Sequence, residues 1–152
     1  MRLKTVVECF AQWFGLGRLP FSPGTFGTLG AIPLVYALAG LGPLPYMIAT
    51  FAFIFFAMWI SHLYEKIHGE HDSSKIVIDE VAGFLVAMTL VPFTWANVAI
   101  TFALFRFFDI VKPGPIRILD RRMTGGFGTV IDDVAAGLVV NILMQVWLGR
   151  FW

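Results

Sequence analysis

Ile78-Asp79-Glu80-Val81-Ala82-Gly83-Phe84-Leu85-Val86-Ala87-Met88-Thr89-Leu90-Val91-Pro92-Phe93-Thr94-Trp95-Ala96-Asn97 is the stretch on which the fold turns. It opens on two acids, continues apolar and reaches a proline at position 92. Read as one crossing, it would leave the following charged segment on the far side of a membrane from Asp79. Read as a hairpin with its tip at Pro92, it returns both charged segments to one side. The hairpin is favoured. Proline inside a helix loses a hydrogen bond and clashes with the preceding turn, and Phe93 to Asn97 supplies turn and capping residues for a new helix. The hairpin's first arm is short: about 13 residues at ~1.5 Å each give ~20 Å. That is thin for a bilayer, so the arm is expected to lie within a bundle or to insert only in part.

The surrounding chain agrees with a membrane setting. Of its 152 residues, 58% are hydrophobic and 14% charged, with a mean hydropathy of +0.79. Soluble domains average about 45–50% apolar and about 25% charged. Leu19 to Tyr64 is a run of 46 residues without Asp, Glu, Lys or Arg; Val81 to Phe105 is a run of 25 and Val134 to Gly149 one of 16. A span needs roughly 20 apolar residues. The first run breaks at Gly40-Leu41-Gly42-Pro43-Leu44-Pro45, giving two helices at about 28–39 and 46–67. Cys9 is the single cysteine, which excludes an intrachain disulfide and a thiolate zinc cage. The net charge of +1 gives no basic footprint for nucleic acid.

The charges fall into three segments. All ten acids, and every Lys or Arg except Arg150, lie in the N-terminal stretch, in 65–80 or in 106–133. The turns at Gly42 and Pro92 carry none. Lys and Arg gathered on one side mark the cytoplasmic face of a membrane protein. The N-terminal segment 1–17 lacks a long apolar core and a cleavage site. It reads instead as an amphipathic helix, with Val6, Phe10, Trp13 and Phe14 on one face. The expected fold is all-α: a compact integral-membrane bundle of about six helices, built from hairpins, with one polar face. Segments 1–17 and 18–152 would form a single domain.

Two stretches echo one another. Ile78-Asp79-Glu80-Val81-Ala82-Gly83 and Ile131-Asp132-Asp133-Val134-Ala135-Ala136-Gly137 each place two acids where an apolar helix begins, with a glycine one turn on. Helix capping is the plainer reading, since acids near an N-terminus offset the dipole by about 0.3–1 kcal/mol. One acid suffices for that. Two adjacent acids, twice, are expensive at the mouths of apolar helices unless a cation neutralises them. Gly83 and Gly137 would let the two helices approach closely and bring the pairs together. The metal reading is therefore preferred.

In Phe105-Arg106-Phe107-Phe108-Asp109-Ile110-Val111-Lys112-Pro113-Gly114-Pro115-Ile116-Arg117, Arg106 and Asp109 share a helix face. Cations snorkelling to lipid headgroups would account for Lys112 and Arg117. They would not account for Asp109, which needs either Arg106 or a metal. Ser22-Pro23-Gly24-Thr25-Phe26-Gly27-Thr28-Leu29-Gly30 enters a helix, and its amides and the Thr25 hydroxyl suit a phosphate; read from the residues alone, a plain turn with an N-cap comes first. Gly125-Gly126-Phe127-Gly128 reads as a hinge. His62 reads as a helix-face residue, and His68 and His71 as solvated loop residues. Trp147 and Trp152 fit interface anchors.

Together, SPGTFGTLG from Ser22, IHGEHDSSKIVIDEVAG from Ile67 and FRFFDIVKPGPIRILDRRMTGGFGTVIDDVAAG from Phe105 resemble the bacterial phosphatidylglycerophosphatase A family. The resemblance runs from about Gly15 to Gly137. It implies an all-helical, magnesium-dependent phosphatase of the inner membrane, which would take the phosphomonoester from phosphatidylglycerophosphate and leave phosphatidylglycerol and inorganic phosphate. It implies catalytic roles for Asp79, Asp132, Asp133 and Arg106. Asp79, Glu80, Asp109, Asp132 and Asp133 would supply oxygen ligands for one Mg²⁺ or two, and Asp72 a further acid. Arg106, Lys112, Arg117 and Thr25 would hold the substrate phosphate. Hard oxygen donors without a histidine cage suit magnesium rather than zinc. The partners expected are a membrane lipid substrate and the bilayer. The sequence alone leaves open a small membrane carrier, or a non-catalytic interaction protein whose acids merely cap helices. A phosphoenzyme route would need a nucleophile loop after a strand, and no such strand is expected.

Overall fold

The computed structural model describes residues 2–71, 73–122 and 125–150, the side chains of 119–122 excepted. Asp72 and Trp152, singled out above, lie outside the described residues. The described chain is all-helical: α1 Arg2–Ala11, a 3₁₀ turn at Leu16–Arg18, α2 Pro23–Ala39, α3 Pro43–His68, α4 Ile78–Ala87, α5 Trp95–Val111, α6 Gly114–Arg122 and α7 Gly126–Trp147. That is one helix more than expected, because Pro113 ends α5 and Gly114 opens the short α6. The helices also start earlier than their apolar runs suggest: α2 begins at Pro23 and α3 at Pro43, each with proline in its first turn. There the missing N–H has no partner to lose.

The middle of the bundle is α4. From Ile76 to Met88 every residue is buried except Glu80, which is half-buried. Around it pack α2, α3, α5 and, most extensively, α7. The α4–α7 contact is one of backbone on backbone. A methyl group on Gly83 would stand 2.6 Å from the Asp133 carbonyl oxygen and 2.7 Å from the Phe105 ring, and one on Gly137 would overlap the Gly83 carbonyl. The two glycines therefore do what their spacing predicted. The glycine cluster at 125–128 is no hinge. Gly126 packs against the α3 backbone, its missing Cβ 2.7 Å from the Cα of His62.

Two helices, α3 and α7, are long and apolar enough to cross a membrane. They leave Phe51, Phe55, Trp59, Leu138, Ile142 and Trp147 exposed, an apolar surface that suits lipid rather than water. At ten residues α4 is only about 15 Å long. It cannot cross, and the chain turns back at 88–94 as the hairpin reading required. Backbone at such depth must find its hydrogen bonds within the protein, and α7 supplies them. Asn141 Nδ2 donates to the carbonyls of Ala87 at 3.1 Å and Thr89 at 2.6 Å, and Gln145 Nε2 donates to Thr89 at 3.1 Å. Arg150, the one cation outside the three charged segments, donates to the Leu90 carbonyl. On the rising arm, Thr94 caps α5 by accepting the Asn97 N–H at 3.1 Å.

The N-terminal helix packs on α3 with a rotated face. Val7 and Ala11 are buried, Phe10 and Trp13 are half-buried, and Val6 and Phe14 are exposed. His68 is not a loop residue. It ends α3, stacks on Tyr64 with ring centroids 4.1 Å apart, and meets Glu8 of α1 at 2.9 Å. This partner across the α1–α3 contact was invisible in a sequence where Glu8 and His68 lie sixty residues apart.

Candidate active site

The starts of α2, α4 and α7 and the end of α5 converge on one pole of the bundle. The first turn of α4 carries Asp79 and Glu80. Asp79 Oδ1 accepts the Glu80 N–H at 3.0 Å, so one oxygen of the pair does cap the helix. Capping explains no more than that. In α7, which begins at Gly126, Asp132 and Asp133 sit in the second turn, inside the helix rather than at its mouth. Both are buried. They point to something other than the helix end.

Asp133 meets the acids of α4, while Asp132 meets Lys112 at the end of α5. Asp79, Glu80 and Asp133 bring one carboxylate oxygen each to within 4.8 Å of one another. Glu80 Oε2 and Asp133 Oδ2 are buried without a hydrogen-bond partner. Burial pushes the Asp79 carboxyl well above the usual carboxylate range, and the neighbouring Glu80 charge raises it further. Burial raises the Glu80 carboxyl too. Three converging acids, two with orphaned oxygens, fit a hard divalent cation.

Cations border the acids. Arg106 pairs with Asp109 on the same face of α5, which answers the question of what partners Asp109. The Arg106 Nε stays buried without an acceptor. Lys112 does not snorkel. It sits in the left-handed region at φ +43°, just before Pro113, and pairs with Asp132. The close approach of α2 completes the arrangement. A Cβ on Gly24 would overlap Glu80 Oε1 and stand 3.1 Å from the Arg106 guanidinium. The small residues of the Ser22–Thr28 loop thus let the start of α2 lie directly over the acids.

These groups line a cavity of about 330 Å³. All five predicted metal ligands reach it, with Arg106 and Lys112. Thr25 and Arg117 do not line it. The Thr25 N–H turns back to the Ser22 carbonyl at 2.9 Å, and the exposed Arg117 reaches the Val111 carbonyl at 3.4 Å. The cavity takes Ser22, Pro23 and Gly24 instead, and adds Ser73, Ser74 and Thr129. Of these additions, Thr129 was findable: it precedes Asp132 by three and Asp133 by four, the spacing of one helix face.

Buried carboxylates able to hold a cation, set against an arginine and a lysine in an all-helical bundle with two helices apolar and long enough to span a membrane, fit the class of a membrane-associated phosphatase. The family model described as phosphatidylglycerophosphatase A matches residues 9–148, and the chain belongs to that family. It is 37% identical to phosphatidylglycerophosphatase A of Escherichia coli strain K12, across all of this chain and 88% of the relative. It is 36% identical to phosphatidylglycerophosphatase A of Haemophilus influenzae, across 96% of this chain and 93% of the relative. A Bacteroides thetaiotaomicron protein with the provisional name phosphatidylinositol-3-phosphatase is 39% identical, across 88% of this chain and 87% of its own length. No solved structure matches the chain.

Proposed function

We propose that this chain hydrolyses the terminal phosphomonoester of phosphatidylglycerophosphate to phosphatidylglycerol and inorganic phosphate. It does so with Mg²⁺, at the cytoplasmic face of a bacterial inner membrane that it crosses more than once. The observation that carries the reading is the meeting of Asp79 and Glu80 with Asp133 from a remote helix, their oxygens within 4.8 Å. The relatives named phosphatidylglycerophosphatase A support the choice of lipid.

Asp79, Glu80 and Asp133 would hold the metal, which would serve to polarise a phosphoryl oxygen and lower the pKa of a water. The protein's own residues do the rest. Arg106 is oriented by Asp109, and its buried Nε is a donor left for a phosphoryl oxygen. Lys112, held by Asp132, supplies the second positive charge. Such preset cations stabilise charge that grows on the phosphoryl oxygens. The start of α2 closes the site from above, with Gly24 lying against Glu80 and Arg106. A carboxylate outside the metal-binding three, Asp132 or Asp109, takes the proton of the attacking water. The acyl chains stay in the bilayer throughout.

Purified protein in detergent, given phosphatidylglycerophosphate, tests the reading. Phosphate release should require Mg²⁺ and stop on chelation. Release that persists in chelator would remove the metal from the scheme, and no release under any condition would remove the substrate.

A further inference from the structure

A second cavity, of about 630 Å³, adjoins the first and shares Pro23 and Ser74 with it. The end of α1, the 3₁₀ turn, the end of α3 and the loop before α4 form its walls. They carry Gln12, Arg18, Tyr64, Glu70, Ser74 and Lys75. The phosphate chemistry above uses none of them.

Backbone contacts fix this wall. Gly17 is buried against the Lys75 carbonyl so tightly that a Cβ would overlap it, and the Val77 N–H donates to the Ala11 carbonyl at 2.9 Å. The turn is thereby pinned to the loop, and Arg18 and Lys75 come to share a wall. Arg18 is steered by its neighbours: its Nε donates to Gln12 Oε1 at 2.5 Å, and a terminal nitrogen lies 3.4 Å from Glu8. Glu8 is also engaged by His68 at 2.9 Å. Lys75 forms no ion pair among the described residues.

The floor is polar, and the lining also carries two acids, Glu70 and the Glu8 that pairs with Arg18. Buried Gln12 donates Nε2 to the Tyr64 hydroxyl at 3.3 Å, and that hydroxyl keeps its own proton to give. Glu70 and Ser74 add acceptors for further hydroxyls. Cations on one wall and hydroxyl-matching groups beneath suit a phosphodiester attached to a polyol. A bare anion would leave the floor unused, and an acyl tail would leave its polar groups unpaired. Leu19, exposed by 37%, and Pro20 line the cavity beside Arg18, so an apolar edge adjoins the cation as in a site that meets a lipid surface.

We propose that this side cavity binds the phosphodiester and adjoining polyol of the lipid headgroup, with Lys75 and Arg18 on the phosphodiester, while the terminal phosphomonoester occupies the acid-lined cavity. The proposal rests on the lipid phosphatase reading and makes the side cavity the place where headgroups are told apart.

Lys75→Gln is the test, because exposed Lys75 makes no side-chain hydrogen bond or ion pair among the described residues on which folding would depend. The full-length protein with Mg²⁺ is assayed on phosphatidylglycerophosphate in nonionic micelles. The lipid's mole fraction is varied at a fixed, saturating micelle concentration, so attachment to micelles stays constant. The KM should rise about tenfold or more, the scale of one lost charge-assisted hydrogen bond, with kcat within about threefold of wild type. Lys75→Arg should recover most of the loss. An unchanged KM, or a fall in kcat alone, overturns the proposal. If the wild type releases no phosphate from this lipid, the underlying functional reading fails instead, and that outcome is visible before any variant is made.

Discussion

The two ends of α4 meet opposite treatment. At its C-terminal end the carbonyls of Ala87, Thr89 and Leu90 leave the helical hydrogen-bond pattern, and Asn141 and Gln145 of α7, with Arg150 just beyond it, cover them. At its N-terminal end the same helix pair does the reverse. Oxygens of Glu80 and Asp133 are buried and left without a donor. Both ends are held by one α4–α7 packing, so a loose contact does not explain the difference. A fold that satisfies non-helical backbone at one pole and leaves buried carboxyl oxygens without donors at the other fits the proposal that the second pole receives a ligand.

The comparison can be broken first at the acidic end. Asp133→Asn, or Asp79→Asn, should lower phosphate release by about a hundredfold or more, since each removes a charge from the cation site. The protein should still elute as wild type on size exclusion. Full activity in either variant would mean that the acids only shape the helix ends.

The capped end should respond in stability instead. Asn141→Ala leaves the Ala87 carbonyl without its side-chain donor and the Thr89 carbonyl with Gln145 alone, which should cost about 1–3 kcal/mol. The measurement is thermal unfolding in detergent, followed by tryptophan fluorescence. Activity per folded molecule should hold. A loss of turnover without a loss of stability would show that the poles are not separable.

A pH series sharpens the contrast. The Asp79 carboxyl is raised in the folded state by burial and by the Glu80 charge. Its contribution to stability is thus fully present below the unfolded pKa, about 3.9, and is lost as pH rises through the higher folded value. Without metal, Asp79→Asn should therefore melt a few degrees above wild type at pH 7, with the gap closing near pH 4. Added Mg²⁺ should narrow the gap at pH 7 by stabilising wild type. A variant less stable at every pH would contradict the assignment. The smallest effect is expected for Arg150→Gln. Its hydrogen bond is exposed, so the melting temperature should move by only about 2 °C or less.

Much of this was legible in the chain. Pro92 and the one-sided charges predicted the hairpin, and Gly83 and Gly137 predicted a close helix pair. The acidic pairs drew attention to the pole where carboxylates of α4 and α7 meet. Other features could not be read. The apolar run of α7 begins after its acids, yet the helix begins two turns earlier, because Gly126 packs against α3. That contact turns two supposed capping acids into interior ones. Lys112 looked like an interfacial cation, and its backbone conformation sends it to Asp132 instead. Thr25 and Arg117 have suitable chemistry, but their side chains lie outside the lining of the cavity.

By itself the sequence determined the helical, lipid-facing character of this protein and its charge polarity, since both follow from hydropathy and from the cost of charge in hydrocarbon. It also determined which residue types were available to hold a cation and a phosphate. Only the tertiary structure decided which carboxylates meet and which are taken by Arg106 and Lys112. It also decided that Asn141, Gln145 and Arg150 would close the far turn. Those outcomes depend on the approach of backbones remote in sequence, a distance of a few ångströms that no local pattern encodes.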